Sequence, residues 1–315
     1  MKSFLSHTQS VLQRVCFVAV TLSFGLVSLK ADGANQSRKD RSTHDRKGTQ
    51  SHEIHAEYGY VAGADMELGS SIGDVSEQNS LFRYVVVNPI SEIIFLRLGA
   101  GTQRFSFGLP NAAPLPNTLQ SVAAIIGADF SLSDQWLMRL EIEPGIYSDF
   151  HDLSEDDVNA PFIAGFSYLV NEDLQWVFGM SVDARREIPV LPAVGARWRF
   201  ADRWTLMAIL PKPRLEYELT EALKLYGGLD LKAGTYKVAE NFGSTHGRPN
   251  LNNATIDYTE LRTGLGLAWR LFPALTMDLE GGYMPYREFD FHTADTRVKS
   301  DGGAPYGQIA LKAEY

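Results

Sequence analysis

The sequence predicts an all-β fold, an up-and-down antiparallel transmembrane β-barrel of about fourteen strands, on three observations. From about residue 53 nearly every segment alternates apolar and polar residues with a period of two. Few windows hold a period near 3.6 for three turns, so helix has little claim. The links between these segments alternate short and long, and all five tryptophans stand beside the short ones.

The first element is residues 1–31. Lys2 and Arg14 precede the apolar run "VCFVAVTLSFGLVSL", and Ala31 offers a small residue for cleavage. That order reads as a secretory signal peptide, with an uncleaved anchor as the alternative. Cleavage removes Lys2, Arg14 and Lys30 with no acidic residue, moving the formal charge from -9 to -12. Such an acidic surface argues against nucleic acid as a partner. The only cysteine, Cys16, leaves with the leader. The exported chain then has no thiol for a disulfide or a Cys-zinc site. Residues 32–52 contain no aliphatic residue beyond alanine and read as a disordered polar linker. The barrel is expected over 53–315, where no apolar run is long enough for a spanning helix.

The expected strands are 53–64, 81–88, 91–108, 119–131, 135–148, 160–170, 174–184, 190–200, 203–210, 213–219, 223–239, 256–271, 274–291 and 304–315. The even count leaves both ends on the short-turn side. "LQWVFGMSVD" sets Leu174, Trp176, Phe178, Met180 and Val182 against Gln175, Gly179, Ser181 and Asp183. "ELRTGLGLAWRL", "WLMRLEIE" and "VGARWRF" repeat the pattern, one face large and apolar, the other charged with glycine. Tight turns are expected near 88–91, 131–134, 171–173, 201–203, 220–222 and 272–274. Longer polar loops are expected near 65–80, 109–118, 149–159, 240–255 and 292–303. Pro211 and Pro213 mark either a tight loop or a kink, because proline removes a ladder donor. A kink leaves twelve strands.

A soluble β-sandwich shows the same alternation and stays open as a third reading. The regular short and long links favour the barrel. So does the belt that Trp136, Trp176, Trp198, Trp204 and Trp269 make at one end of the apolar face, joined by Tyr315. Aromatic girdles at a membrane boundary have this arrangement. The apolar face is then expected to meet outer-membrane lipid and the polar face to line a lumen.

The chain ends on "GQIALKAEY", where Ile309, Leu311, Ala313 and Tyr315 share a face. That ending resembles the signal by which the barrel-assembly machinery recognises bacterial outer-membrane barrels through their C-terminal strand. "WTLMAILPKPRLEYELTEALKLYGG", "YTELRTGLGLAWRL" and "GGYMPYREFDF" resemble an uncharacterised family of bacterial outer-membrane barrels, a domain of unknown function, over roughly 80–315. The resemblance implies an outer-membrane location in a Gram-negative envelope and carries no activity or site residue.

The charges expected to line the lumen are Arg97, Arg139, Glu141, Glu143, Asp183, Arg197, Arg199, Lys224, Asp230, Lys232, Glu260, Arg262, Asp278 and Glu280. In a wide pore such residues set ion preference. In a narrow one they pair and close the bore. Gly99, Gly101, Gly195, Gly264 and Gly266 on that face leave room for a passage, or bend the strands. The expected function is therefore a passive, porin-like small-solute channel or a structural barrel, with no cofactor or metal. An outer-membrane rim enzyme acting on lipid or lipopolysaccharide is the alternative. His151 and His292 each follow Asp-Phe near a long loop, but no nucleophile motif flanks either. The acidic loop 149–159 lacks the ligand spacing of a calcium loop and reads as solvated.

Overall fold

A computed structural model describes residues 49–111 and 113–315. The leader expected over 1–31 and most of the linker expected over 32–52 lie outside the described residues. Fourteen antiparallel strands close into one barrel, with 5% helix confined to the loops. The first seven are β1 (Ser51–Glu67), β2 (Ser71–Pro89), β3 (Ile94–Gly108), β4 (Thr118–Ser131), β5 (Trp136–Ile142 and Gly145–Ser148), β6 (Val158–Asn159 and Phe162–Leu169) and β7 (Leu174–Val182). The second seven are β8 (Val190–Ala201), β9 (Trp204–Ala208), β10 (Arg214–Thr220), β11 (Leu223–Lys237), β12 (Thr255–Phe272), β13 (Leu275–Phe291) and β14 (Thr296–Ser300 and Ala304–Glu314).

The interruptions have local causes. Pro144 and Pro161 lack an N–H, so they break β5 and β6 while their carbonyls still accept from Ala124 and Glu143 at 2.9 Å. β14 breaks at Asp301–Gly303, where Gly302 takes a φ of 100° that suits only glycine. β1 closes the barrel by pairing Tyr58 with Ser80 of β2 and with Ile309 of β14. Among the described residues no strand is left with an open edge, as a spanning sheet requires.

The proline hairpin settles fourteen strands over twelve. Pro211 and Pro213 lie between β9 and β10, and their carbonyls accept from Leu231 at 3.0 Å and Leu229 at 2.9 Å. They extend the β10 edge without needing a donor of their own. The loop expected over 65–80 is instead strand: β1 and β2 run on to a short turn at 68–70. Its composition reads as loop because the outward residues there are polar, while Met66, Val75 and Glu77 are fully buried inside.

The wall is apolar outside and charged inside. Leu265 of β12 is 76% exposed, whereas Arg262 of the same strand is fully buried. At the long-loop end the interior becomes an apolar core in which Phe105, Phe107, Tyr258 and Phe289 pack with ring centroids 4.8–5.4 Å apart. Each such side chain contributes about 1.5–3 kcal/mol on burial. A bulge in β13 builds part of this core. Leu261 faces Tyr286 but Thr263 faces Tyr283, so one extra residue enters β13. Before it Leu279 and Tyr283 point outward; after it Arg287, Phe289 and Phe291 point in and are fully buried.

Candidate functional site

The barrel interior is crossed by charge pairs between strands that are not neighbours. Nearest the apolar core, Glu77 of β2 accepts from Arg262 Nη2 and Arg287 Nη2, each at 2.8 Å, and from the Tyr258 hydroxyl at 2.5 Å. Glu260 joins the same group through Arg287 at 2.7 Å and through Arg262. A second group gathers Glu57 of β1, Asp230 and Lys232 of β11, and Lys212 from the proline hairpin, whose Nζ lies 2.9 Å from Glu57 and 3.0 Å from Asp230. A third joins Arg83 to Glu141 and Glu143, and Arg97 to Glu53, Asp129 and Glu141. Arg139 binds Asp129 at 2.6 Å in that group. Buried ions persist only when paired in this way.

The remaining expected lumen charges take smaller parts. Asp183 is buried and accepts from Asn159 Nδ2 at 3.0 Å. Asp278 binds Lys312 at 2.8 Å, and Glu280 accepts from the Tyr306 hydroxyl. Arg199 meets Asp173 at 2.6 Å and Lys224 meets Glu216 at 3.6 Å. Arg197, Arg199, Lys224 and Glu280 are only half-buried. Glu57, Glu77, Arg83, Lys212 and Arg287 escaped the sequence reading. Glu57 and Arg83 do fall on the polar parity of their strands, which was the available signal.

Room expected beside two of the inner glycines is taken. A Cβ on Gly266 would meet Tyr226 Cζ at 2.2 Å, and one on Gly264 would meet the Tyr306 hydroxyl at 2.3 Å. Those rings lie against the wall under Arg214 and Arg262, whose guanidinium carbons sit 5.0 and 5.3 Å from the ring centres. The five tryptophans are all exposed on the outer surface near short turns, Trp136 against Tyr168 at 4.7 Å and Trp204 against Tyr217 at 4.8 Å. Tyr315 stacks on His52 at 5.2 Å where β14 meets β1.

The chain belongs to the DUF6268 family. The profile of that family, described as a domain of unknown function, matches residues 92–299. No curated protein matches the chain. Among solved structures, a Pseudomonas aeruginosa FadL homologue is 9% identical with a TM-score of 0.43, covering 84% of this chain and 90% of its own. An outer membrane channel from Pseudomonas putida F1 is 10% identical with a TM-score of 0.44, covering 84% of this chain and 96% of its own. Both likenesses are of barrel shape alone.

At the long-loop end of this DUF6268 barrel, straps cross the mouth. The Asp149 N–H donates to the Lys237 carbonyl at 3.0 Å, and Asp149 Oδ2 accepts from the Ala239 N–H at 3.1 Å. They join the ends of β5 and β11, on opposite sides of the wall. The loop after β7 is tied across as well: the Glu187 N–H donates to Asp257 Oδ2 at 3.0 Å, and Arg297 Nη2 lies 3.1 Å from Glu187. The acidic loop is less solvated than its composition implies, since Asp149 and Asp157 are buried and both accept backbone hydrogen bonds.

The two histidines share no partner. His151 is exposed, while His292 Nδ1 lies 3.5 Å from Asp257. No hydrogen bond or ion pair joins them among the described residues. Burial pushes the Asp149 carboxyl up, which the Ala239 and His151 N–H groups oppose.

Proposed function

We propose that this protein is an exported outer-membrane barrel of porin type, shut at rest, that passes small solutes when its long-loop mouth opens. The girdle of Trp136, Trp176, Trp198, Trp204, Trp269 and Tyr315 sits at the membrane boundary on the periplasmic side, and the exposed apolar band faces lipid. The long loops then face the cell exterior. The buried charges line the route, and the C-terminal strand is the contact for barrel assembly.

One observation carries the reading. The mouth is tied by a handful of hydrogen bonds and ion pairs around Asp149, Glu187, Asp257 and Arg297 over the apolar core of Phe105, Phe107, Tyr258 and Phe289, and below that core the interior is lined by charged side chains. The polar ties, each worth about 1 kcal/mol net, break and re-form readily, and the apolar core beneath them is what opening must displace. A structural barrel is the second reading, favoured by the fully buried Glu77–Arg262–Glu260–Arg287 group.

Conductance in planar bilayers tests the choice. The wild type should show rare, brief ohmic steps, and Asp149→Ala combined with Glu187→Ala should raise the open fraction at least tenfold. Silence from both proteins, with each barrel shown folded by a heat-modifiable gel shift, would leave a structural barrel. N-terminal sequencing of the membrane-bound form tests the leader, with a start near Asp32 expected.

A further inference from the structure

Among the described residues, Arg186 is the buried cation that the ion-pair groups do not use. It lies in the loop between β7 and β8, within the stretch "DARREIP", and is only 6% exposed. Its Nη2 reaches Ser181 Oγ at 3.3 Å, while Nε and Nη1 have no hydrogen-bond partner among the described residues. No carboxylate oxygen of the described residues comes within the 4.0 Å of an ion pair. A guanidinium stays charged at any working pH, so these N–H groups demand acceptors.

Arg186 lines an interior cavity of about 40 Å³ together with Asp183, Glu143, Tyr147, Ile163 and Tyr236. At about 10–15 Å³ for each water-sized group, it holds roughly three such groups. Asp183 Oδ1 is occupied by Asn159 Nδ2 and the Arg185 N–H, both at 3.0 Å, which leaves Oδ2 for a ligand. Glu143 is already held by Arg83 Nη1 at 2.6 Å.

Charge then selects the ligand. Arg186 and Asp183 cancel, an added anion would face the carboxylates of Asp183 and Glu143, and an added cation would face Arg186. The walls from Tyr147, Ile163 and Tyr236 favour carbon between the polar ends. We propose that this cavity binds one small uncharged solute that offers an acceptor to Arg186 and a donor to Asp183, the chemistry of a vicinal diol. The site needs no conduction through the barrel, so it stands or falls apart from the channel reading.

Saturation-transfer NMR with ethane-1,2-diol on the full-length folded barrel in detergent micelles provides the test. Transfer to the wild type is expected, falling at least fivefold in Arg186→Gln and in Asp183→Asn. Should either variant fail to fold, Ile163→Phe fills the cavity from another wall with both charges kept, and it should lose transfer equally. Undiminished transfer in folded Ile163→Phe would overturn the proposal. So would absence of transfer to the wild type, which would leave a cavity for water alone, or stronger transfer to acetate than to the diol.

Discussion

Arg287 of β13 and Glu77 of β2 meet inside the barrel, with Nη2 2.8 Å from Oε2 and both side chains fully buried. The two strands are separated in the wall by β14 and β1. Their meeting therefore passes through the interior behind β14 and β1 and does not simply reinforce a ladder. Arg287 also donates to the Val75 carbonyl at 3.0 Å, so it ties β13 to β2 twice.

Breaking that pair should cost far more than a surface ion pair. Arg287→Met leaves Glu77 and Glu260 without one of their two shared cations, and a loss of about 3–5 kcal/mol is expected. The double variant Arg287→Met with Glu77→Leu should lose less than the sum of the two singles, because no unmatched charge remains at that pair. Urea midpoints of the folded barrel in detergent check both numbers.

The outward face makes a separate prediction. Leu265→Arg places a charge on the most exposed apolar position of the wall and should cost about 2–4 kcal/mol in bilayers near the midplane. Leu153→Arg, on an exposed loop, should change stability by no more than about 0.5 kcal/mol. Equal effects at the two positions in refolding titrations into lipid vesicles would contradict the lipid-facing assignment.

Tyr226 lying on Gly266 predicts a size-dependent clash. Gly266→Val pushes the ring off the wall and should destabilise by about 1–3 kcal/mol. Adding Tyr226→Ala should recover part of that loss, since the space is then free. The melting midpoints of the single and double variants compare the two directly.

Asp149, in the loop after β5, gives the pH dependence a sign. Burial holds its carboxyl above the ordinary 3.8, so the folded state holds the proton more tightly than the unfolded chain. The stabilisation from that proton is full below about pH 4 and is lost as pH rises through the raised value. Protonation also weakens the hydrogen bond that Asp149 Oδ2 accepts from the Ala239 N–H at 3.1 Å. Asp149→Asn should flatten this segment of the stability profile, measured as urea midpoints from pH 4 to 7.

Much of the wall was legible because period-two alternation survives wherever one face meets an apolar medium. Trp176, Phe178 and Met180 against Gln175 and Ser181 show this, and Pro211–Pro213 resolves as a hairpin once its carbonyl bonds are seen. At the long-loop end the loops near 109–118, 149–159 and 240–255 were legible, but the packed interior beneath them was not. Above the apolar band both faces of a strand are polar or both are buried, so 65–80 reads as loop. The bulge at Tyr283–Tyr286 reverses parity, which placed Arg287 and Phe289 beyond the reach of counting. Contacts across the bore, such as Lys212 with Glu57, depend on which strands stand opposite, and alternation within one strand carries no such information.

Tryptophan fluorescence quenching in brominated phospholipid bilayers tests the orientation of the wall most directly. Strong quenching by bromine on the acyl chains near the headgroups, with little effect of aqueous iodide, is the expected result for Trp136, Trp176, Trp198, Trp204 and Trp269. Emission that iodide quenches and brominated lipid leaves untouched would place those rings in water and contradict the membrane assignment.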